Sequence, residues 1–230
     1  MDIPIIRTQQ LFYAYGKHEI IKDLNMEVCQ GQCAAIAGAN GCGKSTLLKI
    51  LAGVYTHYKG KLEISGQAAA SKLGFFAKQV GYVPQENPLM DDLSVMDNLR
   101  LWYGGRSQVA QALESQTLSM LDLKNILNRK VSVLSGGQKK RVSIACAIAA
   151  NPPILILDEP GAALDLVCKE NVRDFLRYYL SRKGTVVIAT HEEAELDLCD
   201  VLYVMKNKCL ESVDPRLRGA QLISCFGQNQ

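Results

Sequence analysis

The chain has 230 residues, of which 48% are hydrophobic and 21% charged, enough for one sizeable core in an ordinary soluble protein. Its formal charge is only +3 and the basic residues are scattered, which argues against a nucleic-acid partner. No uninterrupted apolar run is long enough to cross a bilayer, and Met1-Asp2-Ile3-Pro4 lacks the basic-then-apolar order of an export signal, so neither a membrane span nor secretion is expected.

The first thirty residues alternate polar and apolar, through Leu11-Phe12-Tyr13-Ala14-Tyr15 and then Ile20 to Val28. Together with Lys61-Leu62-Glu63-Ile64 they predict half-buried antiparallel strands. A different texture begins at Cys33-Ala34-Ala35-Ile36-Ala37, a short apolar run ending at glycine, as in a strand buried on both faces. Gly38-Ala39-Asn40-Gly41-Cys42-Gly43-Lys44-Ser45 then fits G-x-x-x-x-G-K-[ST], and Thr46 to Leu51 reads as a helix. Glycines in such a loop let successive N–H groups turn toward one anion, and the helix N-terminus adds partial positive charge. Lys44 is expected to reach the β- and γ-phosphates of a nucleoside triphosphate, and the Ser45 hydroxyl to ligate Mg²⁺. The eight cysteines include no C-x-x-C, and Cys33 and Cys146 lie inside apolar runs. They read as reduced core thiols. Cys29 and Cys33 have metal-pair spacing but no second Cys/His pair nearby.

Further along, Val80-Gly81-Tyr82-Val83 reads as another buried strand, and between 94 and 150 helices dominate. Ser135 with Gln138 three residues on is a capping-box pattern opening a helix that carries Val142, Ala145, Cys146 and Ala149 on one face. The Ser135 hydroxyl, the Gly137 N–H and the helix dipole could bind a γ-phosphate there. Ile154-Leu155-Ile156-Leu157 is a buried strand that delivers Asp158 to its carboxyl end, where ligands bind in doubly wound sheets. Asp158 would hold Mg²⁺ and Glu159 would orient or deprotonate an attacking water. The stretch 165–180 is helical, with Cys168, Val172, Phe175, Leu176 and Tyr179 on one face, and Thr185–Ala189 and Val201–Met205 are further strands. Strand–helix alternation predicts an α/β protein with a mostly parallel sheet, an N-terminal antiparallel β layer and a helical lobe inserted at about 90–150.

Leu134-Ser135-Gly136-Gly137-Gln138, placed between the phosphate loop at 38–45 and Ile154–Glu159, resembles the signature of the ATP-binding-cassette (ABC) ATPases, and the match runs over nearly the whole chain. The resemblance implies a P-loop NTPase core and a single ABC ATPase domain over residues 1–230, using ATP and Mg²⁺. It implies that Tyr15 stacks on adenine, and that Asn40, Gly41, Cys42, Gly43 and Thr46 join Gly38, Lys44 and Ser45 around the phosphates. Gln85, in Tyr82-Val83-Pro84-Gln85, would touch Mg²⁺ and the attacking water and begin the contact region for membrane partners. His191, after Thr190, matches the switch histidine near the γ-phosphate. Lys44, Gln85, Glu159 and His191 are then the catalytic group, and Ser45, Gln85 and Asp158 the metal group.

In this family Ser135, Gly137 and Gln138 complete the site of a second, facing chain, so the resemblance implies a homo- or heterodimer of ATPase subunits. It also implies multi-span membrane permease subunits and a cytoplasmic location, peripheral on the inner face of the cell membrane. Two positions depart from the pattern: Ala162 stands where serine is usual in the dimer-crossing loop, and Cys42 where alanine or serine is usual. Asn128 to Leu134 lacks the V-G-E-x-G of fused exporters and looks more like stand-alone subunits of bacterial export systems; Leu99 to Gly104 leans the same way. Export is therefore the expected direction. The alternatives are an importer ATPase subunit, or a soluble ABC ATPase outside transport, a class marked by tandem cassettes or long coiled-coil insertions that this chain lacks.

Overall fold

The alternating N-terminal pattern folds as a long hairpin. Strand β1 (Pro4–Tyr15) pairs antiparallel with β2 (His18–Cys29), from Pro4 opposite Cys29 to Tyr15 opposite His18. The computed structural model describes residues 4–69 and 74–226. Met1 to Ile3, part of the export-signal reading, lie outside them.

The apolar run at Cys33 is β3 (Cys33–Ala37), buried at every residue, and it feeds the phosphate loop and helix α1 (Lys44–Leu51). Next come β4 (Lys59–Ile64), β5 (Gln67–Ala68), α2 (Phe75–Gln79) and β6 (Val80–Val83). The lobe follows: α3 (Val95–Tyr103), α4 (Arg106–Leu113), α5 (Gln116–Ser119), two single 3₁₀ turns and α6 (Gly136–Ala147). The chain then returns through β7 (Ile154–Asp158), α7 (Leu166–Ser181), β8 (Thr185–Ala189), α8 (Glu193–Leu196), β9 (Val201–Lys206), β10 (Cys209–Val213) and α9 (Gly219–Ser224).

Two sheets result. The antiparallel one has the order β2-β1-β4-β5; the six-stranded one has the order β10-β9-β3-β8-β7-β6 and is parallel except for the β9–β10 hairpin. Strand alternation divides the interior between two cores. Ala34, Ile36, Ile154, Ile156 and Val187 face the antiparallel sheet and α1, whereas Ala35, Ala37, Leu155, Leu157 and Ile188 face the lobe and α7. Helix α1 lies between the two sheets, its Leu47, Leu48, Ile50 and Leu51 fully buried. That sandwich makes the ground beneath the phosphate loop rigid.

Helix α6 departs from the amphipathic expectation. It ends at Ala147, so Ala149 lies beyond it, and it buries Lys140 through Cys146 without interruption rather than along one face. The cause is its position, packed against α3, α7 and β6 at once. Helix α7 keeps the predicted face, with Val172, Phe175, Leu176 and Tyr179 buried.

Candidate active site

The site is built where β3, β7 and β8 end. Lys44, Ser45 and Thr46 open α1, so their N–H groups have no partner four residues back, and the first turn carries no acidic residue to compete for an anion. Gly43 precedes them at φ 113°, and a Cβ there would stand 2.7 Å from Met205 Cε and 2.9 Å from Ile20 Cγ2. At Gly38 a Cβ would stand 2.5 Å from the Met205 carbonyl oxygen. Close approach to β9 thus demands glycine at both ends of the loop. The Lys44 ammonium folds back over the loop, donating to the carbonyls of Gly38 (2.8 Å) and Ala39 (3.2 Å).

A cleft of about 390 Å³ opens over this turn, lined by Tyr15, Ile20, Asn40, Gly41, Gly43, Lys44, Ser45, Thr46, Gln85 and Glu159. Every one of these except Ile20 is a sequence-derived candidate. Tyr15, at the end of β1, is 44% exposed. It stands edge-on to Tyr13 and Tyr55, which stack on each other at 5.4 Å behind it. Tyr13 and Tyr55 thus back Tyr15 where it lines the cleft. Of the two N-terminal tyrosines, Tyr15 is the one that lines the cleft.

Asp158 is buried and hydrogen-bonded to Ser45. Burial pushes its carboxyl pKa up; the Glu159 charge adds to this, while the Ser45 hydrogen bond and the charges of Lys49 and Lys44 oppose it. A carboxylate kept dry beside a hydroxyl is a hard-oxygen pair suited to a hard cation. Glu159 follows in the left-handed region at φ 46°, its N–H donating to the Ala189 carbonyl at 2.9 Å. That turn swings its side chain into the cleft, where Glu159 Oε2 accepts from Gln85 Nε2 at 3.1 Å. His191 Nε2 lies 3.9 Å from Glu159 Oε1. Burial lowers the His191 pKa, the Lys44 charge lowers it further, and Glu159 pulls the other way.

Lys44, Ser45, Gln85, Asp158, Glu159 and His191 are thus brought together from four stretches of chain. Ser135, Gly137 and Gln138 are not among the residues lining that cleft. They form the tip of α6, where Ser135 Oγ accepts from the Gln138 N–H at 3.3 Å and Gln138 Oε1 accepts from the Ser135 N–H at 3.1 Å. The capping box is complete, and the Gln138 side chain is turned back into it. Gly137 has a packing reason too, since a Cβ there would stand 2.2 Å from Cys168 Sγ. In the loop after Glu159, Asp165 caps α7 by accepting from the Cys168 N–H at 2.8 Å.

Sequence reasoning missed three supports. Tyr55 backs Tyr15 from a different element, so no periodicity links them. Buried Glu195 accepts from the Thr190 hydroxyl, whose oxygen also accepts from the Glu192 N–H at 3.0 Å, fixing the turn that carries His191. Buried Lys140 donates to the backbone at Pro84 and Gln85.

The chain is similar to known proteins in sequence and in fold. Residues 21–162 match the family model described as ABC transporter. The chain is 36% identical over 211 residues to the Nod factor export ATP-binding protein I of Burkholderia orbicola, spanning 90% of this chain and 69% of that protein. It is 33% identical over 201 residues to the protein of the same name from Bradyrhizobium diazoefficiens, spanning 85% of this chain and 65% of that one. Two solved structures, each 27% identical, cover 92% of this chain and 99% of their own. They are the dimeric structure of MJ0796, a bacterial ABC transporter cassette, at a TM-score of 0.83, and its dimeric post-hydrolysis state bound to ADP and Pi, at 0.81. With the phosphate loop, the paired acids after β7 and the capped signature helix in one fold, the chain belongs to the ABC transporter family as an ATP-hydrolysing, ATP-binding subunit.

Proposed function

We propose that this subunit hydrolyses ATP at a head-to-tail interface between two ATPase chains and so drives export through separate membrane permease subunits. One observation carries the reading: the cleft that holds Lys44 and Glu159 is not lined by Ser135 or Gly137, which sit at the tip of another helix. A γ-phosphate held by Lys44 in one chain is completed by Ser135 and Gly137 of the other. Exposed Val133, Leu166 and Val167 flank the signature and supply apolar surface for that contact.

The residues present fit Mg²⁺. Ser45 and Asp158 offer hard oxygens with Gln85 nearby, in keeping with a cation that takes few protein ligands and completes its shell with phosphate oxygens and water. When bound, Mg²⁺ would neutralise charge on the β- and γ-oxygens. Tyr15 stacks on adenine, Lys44 swings from its loop carbonyls onto the phosphates, and Glu159, oriented by Gln85, takes a proton from the attacking water. His191 stands near the γ-phosphate, on the far side of Glu159 from Gln85. Loss of the shared phosphate lets the chains part, and that opening is delivered to the permease.

The permease reading is supported by an apolar groove of about 560 Å³ beside Gln85, lined by Val54, Tyr82, Pro84, Pro88, Leu89 and Trp102 among others. Trp102 is 62% exposed, and Met90 and Leu101 are exposed nearby, a surface fit for a helix of the membrane subunit. Export is supported by the printed names of the curated relatives.

Sedimentation of Glu159→Gln with and without ATP–Mg²⁺ tests the mechanism. The amide still accepts from Gln85 but cannot take a proton, so turnover falls by about 10²–10⁴ while ATP binding survives. The variant should therefore accumulate as an ATP-bound dimer. A monomer at tens of micromolar, with ATP demonstrably bound, in both Glu159→Gln and Glu159→Gln/Ala162→Ser, would sink the two-chain site.

A further inference from the structure

Lys140 is a buried charge near the site that the reaction chemistry leaves unexplained. It lies on α6, five residues past Ser135, and is only 2% exposed. A buried ammonium is normally neutralised by a carboxylate. Here, among the described residues, no carboxylate stands within ion-pair distance of Nζ. Instead Nζ donates to two backbone carbonyls, those of Pro84 and Gln85, each at 3.0 Å. Both carbonyls belong to the segment that leaves β6 after Val83. Turning two successive carbonyls toward one point fixes the backbone direction of the turn, and the Gln85 side chain then reaches Glu159 at 3.1 Å.

The same helix begins at the signature. Five residues of α-helix span about 7.5 Å, so Ser135, Gly137 and the Lys140 Cα ride on one rigid rod. Any tilt of α6 as its tip meets the partner's phosphate must move the Lys140 ammonium and drag the Pro84 and Gln85 carbonyls with it. We propose that Lys140 is a positioning residue: it couples the signature tip of α6, which serves one nucleotide site, to the Gln85–Glu159 pair that serves the other. The inference rests on the roles of Gln85, Glu159 and the signature argued under Proposed function. It adds that the link runs through one ammonium and two carbonyls, not through general packing of the lobe.

The test is a double-mutant cycle read in steady-state ATPase, together with NMR relaxation of the backbone amides. Lys140→Met keeps the apolar stem and removes the donors; Lys140→Arg keeps charge and donors. Lys140→Met should lower kcat about ten- to a hundredfold, the scale of a misplaced catalytic group. KM for ATP should stay within about twofold, because Tyr15 and Lys44 are untouched. Lys140→Arg should recover most of the rate. In the Gln85→Ala background Lys140→Met should cost nothing more, since it acts through Gln85. Backbone N–H order parameters of residues 85–87 should fall in Lys140→Met, with those of α6 unchanged. Multiplicative losses in the double variant, or unchanged order parameters at 85–87, would overturn the inference. Wild-type kcat in Gln85→Ala would instead overturn the role given to Gln85, and the inference with it. If Lys140→Met is poorly folded, Lys140→Ala, which removes the donors and leaves room for water to bond the two carbonyls, takes its place in the same cycle.

Discussion

Substituting Gly137 by alanine separates the packing role of the signature from its phosphate role. The new Cβ would stand 2.2 Å from Cys168 Sγ and 2.7 Å from Cys168 Cβ. An ordinary contact between such atoms is about 3.5–4.0 Å. Rotation about χ1 of Cys168 removes the sulfur clash but not the Cβ clash. Cys168 itself is held, because its N–H is bound to the Asp165 carboxylate at 2.8 Å at the start of α7. The relief left is for the tip of α6 to move off α7 by about 1 Å. Overpacking of this kind costs about 1–3 kcal/mol, which for a protein of this size lowers Tm by about 2–12 °C. A 1 Å displacement of a phosphate-binding group costs about 10²-fold in rate. Gly137→Ala should therefore lose stability and turnover together while ATP binding to the chain's own phosphate loop is kept. Thermal melts, ATPase assays and ATP titration on Gly137→Ala, Cys168→Gly and the pair decide it. Cys168→Gly removes both contacting atoms, so the pair should show a favourable coupling of at least about 1 kcal/mol in stability. Wild-type Tm in Gly137→Ala, or strictly additive losses in the pair, would refute the packing argument.

Three other outcomes are expected. Lys44→Ala removes the charge that meets the β- and γ-oxygens and should abolish measurable ATP–Mg²⁺ binding by titration calorimetry; wild-type affinity would contradict its assignment. Tyr15→Ala should weaken ATP binding by about ten- to a hundredfold, on a stacking value of about 1–3 kcal/mol per base, whereas Tyr15→Phe should bind nearly as wild type; a large effect from Tyr13→Ala and none from Tyr15→Ala would reverse the choice. For His191 the shift is downward, so the unfolded chain takes up its proton first as the pH falls. This contribution to stability is present above the ordinary imidazole value of 6.5 and is lost as the pH drops from there toward the folded value. An NMR titration should place His191 below 6.5 and move it upward in Lys44→Met; a value at or above 6.5 would remove the basis for a neutral imidazole at the site.

The fold and most of the site were legible because the signals were local. The phosphate loop is one contiguous segment whose glycines, lysine and serine answer to one anion. The strand ending in Asp158 and Glu159 announces itself by four apolar residues and then two acids. What stayed hidden depended on contacts between distant elements. Nothing in the spacing says that Tyr55 will back Tyr15, or that Lys140, which reads as an exposed helix lysine, will lie buried against the backbone at Pro84. The single-face reading of α6 failed for the same reason: burial on several faces follows from where a helix is packed, not from its own period. The capping of α7 by Asp165 likewise appears only once the end of the loop after Glu159 is placed.

The stretch from Glu159 to Asp165 joins the chemistry to the interface, and its backbone explains how. Glu159 and Ala163 both occupy the left-handed region, at φ 46° and 58°, conformations that non-glycine residues hold only when neighbours impose them. The neighbours are identifiable. The Glu159 N–H is bound to Ala189 at 2.9 Å, the Glu159 carbonyl accepts from the Ala162 N–H at 3.2 Å, and Asp165 is committed to the cap of α7. Between them, Gly161 packs so closely on Glu195 that a Cβ would come within 2.5 Å of its carboxylate. Glu195 in turn accepts from Thr190, the residue before His191. Burial raises the Glu195 pKa, while the hydrogen bond it accepts from Thr190 opposes that shift. Glu159, His191 and the loop that carries Ala162 are thereby mounted on one buried support. In the proposed dimer the serine hydroxyl missing at Ala162 removes a side-chain contact, but the main-chain course of the loop is set by groups that remain.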